Sequence, residues 1–302
     1  MKILIAGAGV AGLSVAHALV KAGVRPTVVA RDGGATACGA GIVSAQFWDP
    51  RLAAHARRSQ QIIESLLPVV RCGMAQIALS EEKSELLSRI EGVERRLPEE
   101  LQRALAHDFL PRVVAATFSP GDFYVGNERL LAALAEGSQL LRQEIEEIGP
   151  GWLKTGARVL EADWLVVATG AYGPGGVRRC LTQLAAHPAR LPCMFHILDS
   201  GIYARPHERG ALAGDGDADW DGKVAPAVTP AFLEHMESQL SGILRGGGRL
   251  QAVSAGPIAC TADGRPLVET AGKNVLLSGF GGDGLALAPA YGEEVARLLL
   301  ED

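Results

Sequence analysis

The chain has no CxxC pair, and its five cysteines (Cys38, Cys72, Cys180, Cys193 and Cys260) are scattered through 302 residues. An odd, dispersed set excludes a disulfide framework and offers no spacing for a zinc or iron–sulfur site. The expectation is a cytoplasmic protein with no bound metal. His187 and His196 have no companions at ligand spacing, and His17 sits inside a helical pattern as a structural or exposed residue. Clustered basic charge is also missing. The net charge is −5, which leaves no footprint for nucleic acid. No segment reaches the roughly 18 uninterrupted apolar residues that a membrane helix needs. The first residues are apolar enough to imitate a signal peptide, but cleavage there would discard a glycine pattern with a purpose of its own. No repeat with a period of about 20–50 residues is present.

What the chain does have is a 48 % hydrophobic composition and 37 glycines. That supports one large or two modest domains with a real core. The glycines are most informative at the start. KILIA reads as a strand, and Gly7-Ala8-Gly9-Val10-Ala11-Gly12 follows at once, leading into the helical LSVAHALVKAG and a second strand, RPTVVA. Strand, glycine turn, helix and strand within about 30 residues is the context in which GxGxxG marks a dinucleotide site. Gly7 permits the tight turn, Gly9 lets the backbone approach a pyrophosphate, and Gly12 lets the helix lie close to the sheet. The helix start, with Val10 and Ala11, supplies N–H groups and a favourable field for the anion.

Further along, GGATACGAG at 33–41 is a small-residue loop of the kind that lets backbone crowd a ligand. Residues 49–71 have a helical apolar spacing, with Arg57, Arg58 and Glu64 on the solvated side; MAQIALS suggests a strand, and 81–109 carries short helices. NERLLAALAE is a helix for which Asn127 is a candidate cap. QLLRQEIEEIG returns the chain to the sheet. ARVLEA is a hairpin arm, and DWLVVATG is a buried parallel strand ending in Thr169-Gly170. Beyond residue 175, IYARPHERGALAGDG alternates strands and turns, and Asp215–Gly222 is expected to be a solvated loop. Thr229-Pro230 opens an amphipathic helix. The tail, NVLLSGFGGDGLALAPAYGEEVARLLLE, is again strand, glycine loop and helix.

Taken together, GAGVAGLSVAHAL, ADWLVVATGAYG, IYARPHERGALAGD, TADGRPLV and LLSGFGGDGLALAPAYGEEVARLL resemble, in order and over most of the chain, the D-amino-acid oxidase-like (DAO) family of FAD-dependent oxidoreductases. The resemblance implies an α/β fold: a Rossmann-like FAD-binding domain with an inserted mixed-sheet α+β substrate domain. The expected division is 1–55, 125–174 and 261–302 for the discontinuous FAD-binding domain, and 56–124 with 175–260 for the substrate side. It also implies bound FAD and oxidation of an amine or amino-acid-like C–N bond by hydride transfer to flavin. Electrons then pass to oxygen or to another redox partner; an oligomer is left open. On this chain the resemblance assigns the FAD pyrophosphate to Gly7, Gly9, Val10, Ala11 and Gly12. Thr169 and Gly170 fall near the adenosine or pyrophosphate part. Thr36, Ala37, Gly41 and Ile42 pass along the flavin, and Gly281, Gly282, Asp283, Gly284 and Leu285 bring a helix start to the ring system and ribityl chain, where its field favours negative charge on reduced flavin.

Two positions depart from the family pattern. The glutamate that ends the second strand and binds ribose is Ala30 here, followed by Arg31 and Asp32. Asp32 is a candidate ribose ligand and Arg31 a candidate for stacking on adenine, with ordinary loop charges as the alternative. The arginine that pairs with a substrate carboxylate is Ile258, which cannot make that bidentate contact. Arg265 falls in a turn. For the substrate, Tyr203 and Arg205 lie two apart on one strand and share a face. Trp48, with Gln46 and Phe47, is a candidate aromatic wall, with core packing as the alternative. His207 is turn-like, and Cys38 reads as an unreactive thiol. No general base stands out. The rival readings are a flavin monooxygenase, an NAD(P)-dependent dehydrogenase (which Arg31 would suit), and a non-catalytic FAD-containing subunit of an electron-transfer complex.

Overall fold

A computed structural model describes residues 1–301 apart from 32, 33, 157, 174–176, 220, 223, 224 and 247. Its first layer is a six-stranded sheet centred on Ile3–Ala6. Thr27–Ala30 and Trp164–Val167 flank this strand in parallel, with Ile5 opposite Val28 on one side and Val166 on the other. Gln139–Arg142 joins outside Thr27–Ala30, and Asn274–Ser278 outside Trp164–Val167, both parallel; Leu267–Ala271 closes the edge antiparallel. The central strands are buried on both faces, as their unbroken apolar runs require. One face is covered by the helices Val10–Lys21 and Gly284–Glu301. Those two helices approach backbone to backbone: a Cβ on Gly292 would lie 2.5 Å from the carbonyl carbon of Ser14. The other face packs on a three-stranded antiparallel meander formed by Glu147–Gly149, Trp152–Thr155 and Arg158–Glu161. This is a Rossmann-like layer.

The second layer is an eight-stranded mixed sheet. Arg178–His187 runs antiparallel to Gln251–Cys260 on one side and to Gly210–Gly214 on the other. Tyr203–His207, Met194–Ile197, Met74–Ala78 and Ala115–Ser119 continue it, with one parallel pair between Met194–Ile197 and Met74–Ala78. Helix Pro230–Ile243 covers this sheet through Phe232, Met236 and Leu240. Its Thr229 cap is as expected, with the hydroxyl accepting from the Phe232 N–H at 3.2 Å. The inserted mixed-sheet α+β arrangement expected from the sequence is therefore present.

Three local expectations are corrected. The acidic stretch at 215–222 is not all loop, because Asp217–Asp219 pairs with Cys180–Thr182 as an edge strand. Ladder bonds are made by backbone, so an acidic stretch can still pair at a sheet edge. Asn127 does not cap its helix. Gly126 holds the cap position, while Asn127 Nδ2 donates to the Gly39 carbonyl at 2.7 Å and so ties the glycine-rich loop to the helix. That loop also contains a short helix, Ala35–Cys38.

Candidate active site

The turn after the first strand shows why its glycines differ. Gly7 has φ +109°, and a Cβ there would lie 2.3 Å from the Ala168 carbonyl oxygen. A Cβ on Gly12 would lie 2.0 Å from the Gly7 carbonyl oxygen. Both are glycine because the protein itself leaves no room. Gly9 is different. Its φ of −77° suits any residue, and a Cβ there would meet only Thr36 Oγ1, at 3.4 Å. No protein atom demands a glycine at position 9, and the space it keeps open faces out from the helix start. Thr36 reaches across this turn and accepts from the Val10 N–H at 3.1 Å. Beside the turn, the Thr169 hydroxyl is buried with no hydrogen-bond partner, and Gly170, at φ +57°, has open space where a side chain would stand. An open glycine, a helix start and an orphaned buried hydroxyl together fit the pyrophosphate and adenosine part of a dinucleotide.

A cavity of about 420 Å³ continues from this turn. Among the residues assigned from the sequence, Val10, Thr36, Gly41 and Ile42 line one side, and Gly281–Leu285 another. Gly281–Asp283 is a single 3-10 turn, from which the long helix starts at Gly284. Asp283 is open to the groove yet surrounded by protein atoms, and this crowding pushes its carboxyl up to about 6. Gly41, at φ +77°, lies against the Val125 carbonyl. Tyr203 and Trp48 also line the cavity, and Trp48 is 45 % exposed at its rim. A second cavity, of about 400 Å³, opens beside Leu79, Arg112 and Asp199, away from all of the glycine turns.

Several assigned residues do not line the cavity. Ala37 is exposed on the short helix whose Ala35 and Thr36 face inward. Arg31 lies at the strand end with its guanidinium 4.5 Å from the Tyr172 ring centroid and 3.5 Å from Glu144. Asp32 lies outside the described residues. Arg205 shares the strand face with Tyr203, but its side chain goes to the protein: Nε donates to the Ala40 carbonyl, Nη1 to the Pro206 carbonyl at 2.8 Å, and the guanidinium lies 4.5 Å from the Tyr124 ring centroid. Burial pushes its pKa down. The expectation that Arg205 faces the substrate is corrected. It braces the Gly39–Ile42 loop from behind. Arg265 sits in its turn, paired with Asp49 at 2.8 Å.

The far wall of the cavity holds residues that the sequence reading missed. Gln76 and His196 stand in register on adjacent strands, and both line it, as does Thr182, whose hydroxyl is 3.4 Å from that of Tyr203. His196 meets Tyr203 edge to face, and desolvation pulls its pKa down to about 4. Behind Gln76 lies a buried polar network centred on Asp122, which is fully buried. Asp122 accepts from the Ser44 hydroxyl at 2.7 Å, the Ala45 N–H at 3.2 Å, Gln46 Nε2 at 2.9 Å and Gln60 Nε2 at 3.0 Å. Despite these donors, burial raises its pKa. The signal was available, because Gln76 is a polar residue inside the apolar run MAQIA. Among the described residues no group of three His, Cys, Asp or Glu side chains could hold a metal, and no helix is long and apolar enough to cross a membrane.

Residues 2–298 match the family model described as FAD dependent oxidoreductase (DAO). Over its full length the chain is 29 % identical to a Rhizobium etli protein named "Putative thiamine biosynthesis oxidoreductase ThiO", covering 97 % of it. Among solved structures, the fold is similar to L-proline dehydrogenase from P. horikoshii (TM-score 0.84, 21 % identity, 99 % of this chain and 93 % of that one). It is also similar to glycine oxidase from Geobacillus kaustophilus (TM-score 0.81, 21 % identity, 99 % and 94 %).

Proposed function

We propose, for a chain that belongs to the DAO family of FAD-dependent oxidoreductases, that it oxidises the C–N bond of an amine or amino-acid-like substrate. The observation that carries this reading is a single cavity bounded by the Thr36–Ile42 loop and the Gly281–Leu285 helix start on one side and by Gln76, His196 and Tyr203 on the other. A proline dehydrogenase and a glycine oxidase, both with this fold, support the choice of a C–N bond.

When bound, FAD supplies the acceptor for a hydride from the substrate carbon beside nitrogen. The residues of the chain hold and orient. Gly9 keeps the turn open to the pyrophosphate, and the first-turn amides of Ala11 and Gly12, which have no intrahelical partners, face the anion with Val10. Thr169 and Gly170 meet the adenosine side, where Arg31, packed on Tyr172, marks the end of the second strand. Thr36, Gly41 and Ile42 follow the flavin, with Ala37 outside that path. Gly281 to Leu285 bring the positive end of a helix to the ring system, which favours negative charge there. Tyr203, Gln76 and Trp48 hold the substrate and fix the reacting C–H against the ring, a gain in orientation that needs no general base among them.

In the same reading, 125–174 and 261–302 join the N-terminal segment as the FAD-binding unit, and 175–260 is the substrate side. Helix Pro50–Leu66 runs across the expected 55/56 division and packs on the C-terminal helix, so that edge moves beyond the helix. The natural electron acceptor is oxygen or a redox partner.

Anaerobic flavin bleaching tests the reading, because it separates reduction by substrate from reoxidation by an unknown acceptor. The panel holds neutral amines, cyclic imino acids, glycine derivatives and hydroxy acids. Amines or amino acids are expected to bleach the flavin; bleaching by hydroxy acids alone would overturn the C–N assignment.

A further inference from the structure

Most polar groups in the cavity wall are spent on the protein. Ser44 and Gln46 donate to Asp122, Thr36 accepts from the Val10 N–H, and the hydroxyls of Thr182 and Tyr203 stand 3.4 Å apart. Asp283 differs. It lines the cavity from the turn Gly281–Asp283 and is exposed, and its N–H donates to the Phe280 carbonyl at 3.0 Å, which fixes the turn. An aspartate at a helix start often satisfies an unpaired amide. The carboxylate of Asp283 caps nothing, and no described residue donates to it or pairs with it. Asp122 is the contrast, buried among four donors and committed to the fold.

The neighbours of Asp283 leave its charge free to act on a ligand. Among the described residues that line the cavity it is the one acid. Its titratable neighbours are His196 and Tyr203 in the cavity wall and Cys260, whose Sγ lies beside Gly281. Desolvation keeps His196 uncharged above about pH 4, so it neither pairs with the carboxylate nor competes for a proton near neutrality. Crowding alone holds the Asp283 carboxyl at about 6. It is therefore ionised at neutral pH, yet takes a proton far more readily than a solvated aspartate at about 3.9. A cation entering the cavity would meet a carboxylate with no competing partner, and the rings of Phe47 and Trp48, which also line it, suit an ammonium group.

An amine in neutral water is an ammonium ion, with a pKa of about 10. Its carbon cannot release hydride until the nitrogen regains a lone pair. We propose that Asp283 is a catalytic residue: its carboxylate pairs with the ammonium group of the substrate and takes one of its protons. An N–H bond breaks, an O–H bond forms on the carboxyl, and the nitrogen keeps the electron pair, so the step needs no oxidant. Two charges become none, a change that a desolvated cavity favours. The proposal rests on the C–N reading above and adds the proton acceptor that Tyr203, Gln76 and Trp48 do not supply.

Two measurements on the FAD-loaded protein test it. The first reads binding without turnover, by titrating the flavin absorbance with tert-butylamine, which has no hydrogen on the carbon beside nitrogen, and with its uncharged isostere tert-butanol. At pH 7.5 the amine is expected to bind at least tenfold tighter than the alcohol. Its affinity is expected to fall about tenfold between pH 7.5 and pH 5, as a carboxyl near 6 loses its charge. Asp283→Asn, scored on protein that retains its FAD, removes both differences. An alcohol that binds as tightly as the amine overturns the proposal, as does a preference that survives the substitution. The second follows anaerobic bleaching by subsaturating benzylamine, pyrrolidine and sarcosine from pH 7 to pH 9. With Asp283 in place the abundant ammonium form is productive, and the rate is expected to stay flat. In Asp283→Asn only the scarce neutral amine reacts, and the rate is expected to rise about tenfold per pH unit. A flat profile in the variant overturns the proposal. So does a tenfold rise per unit in the unaltered protein, a result that does not depend on how the variant folds. Should none of the three bleach the flavin, the C–N reading fails, and the tert-butylamine titration still decides whether Asp283 holds an ammonium group.

Discussion

Gly9→Ala separates a glycine kept for a ligand from one kept for the fold. The backbone at Gly9 has φ −77° and ψ 179°, which alanine adopts freely. The added methyl would have one neighbour, Thr36 Oγ1 at 3.4 Å, and would otherwise point into open space. Replacing glycine at a compatible conformation stabilises a protein by about 0.4–1 kcal/mol through the unfolded chain. Gly9 is also the N-cap of its helix, where alanine is worse than glycine by a few tenths to about 1 kcal/mol. The two terms nearly cancel. The FAD-free variant is therefore expected to melt within about 4 °C of the FAD-free wild type, at roughly 2–4 °C per kcal/mol for a chain of this class. The same methyl stands where a pyrophosphate must approach the backbone. Overpacking a tight contact costs about 1–3 kcal/mol, which is roughly a five- to 150-fold weaker Kd for FAD.

Gly12→Ala is the contrast. Its Cβ would lie 2.0 Å from a backbone oxygen, so the helix itself must move and the FAD-free protein loses stability as well. The assay is a thermal melt of each FAD-free protein with an FAD titration followed by fluorescence quenching. A Gly9→Ala protein that binds FAD within threefold of wild type would refute the argument that ligand access keeps position 9 a glycine. So would one whose FAD-free form melts as low as that of Gly12→Ala.

Other outcomes follow from the same geometry. Gly292→Ala, with its Cβ 2.5 Å from the Ser14 backbone, is expected to force the two long helices apart and cost about 1–3 kcal/mol or more, read as a lower denaturation midpoint. Asp122→Asn turns an amide toward a ring of donors and is expected to lose about 1–3 kcal/mol in urea unfolding. Because burial raises the Asp122 pKa, the folded protein keeps a proton that the unfolded chain has released, so the stability Asp122 contributes falls as pH rises from about 4 toward the folded-state value; the gap between wild type and Asp122→Asn should narrow across that window. Ile258→Arg places a guanidinium at the cavity wall and is expected to tighten acetate binding at least tenfold, measured by titrating the flavin absorbance of the FAD-loaded protein.

The Rossmann-like layer was legible in the sequence because each of its parts leaves a local mark. A strand buried on both faces must be apolar throughout, as Trp164–Val167 nearly is, and a β–α turn pressed against a neighbouring strand must have glycine where Gly7 meets Ala168. Those marks depend on residues close together in the chain. Asp217–Asp219 left no such mark, because an edge strand borrows its hydrogen bonds from Cys180–Thr182, about 35 residues away in the sequence. Arg205 misled for a related reason. Strand periodicity correctly places it on the face of Tyr203, yet the partners that occupy it, Ala40 and Tyr124, come from distant segments.

The substrate wall shows where local reading ends. Gln46, Gln76 and the stretch with Thr117 and Asp122 are three separate segments, and each residue alone looks like an ordinary polar one. Only the fold brings them into one chain of donors and acceptors running from Asp122 through Gln46 to Gln76. Such a network is costly to bury unless every member is satisfied. Gln76 Oε1 departs from that rule, buried with no partner, while Asp122 has four donors and obeys it. Gly9 is more telling than Gly7 or Gly12, because the residue whose identity the protein alone does not require points to what the protein binds.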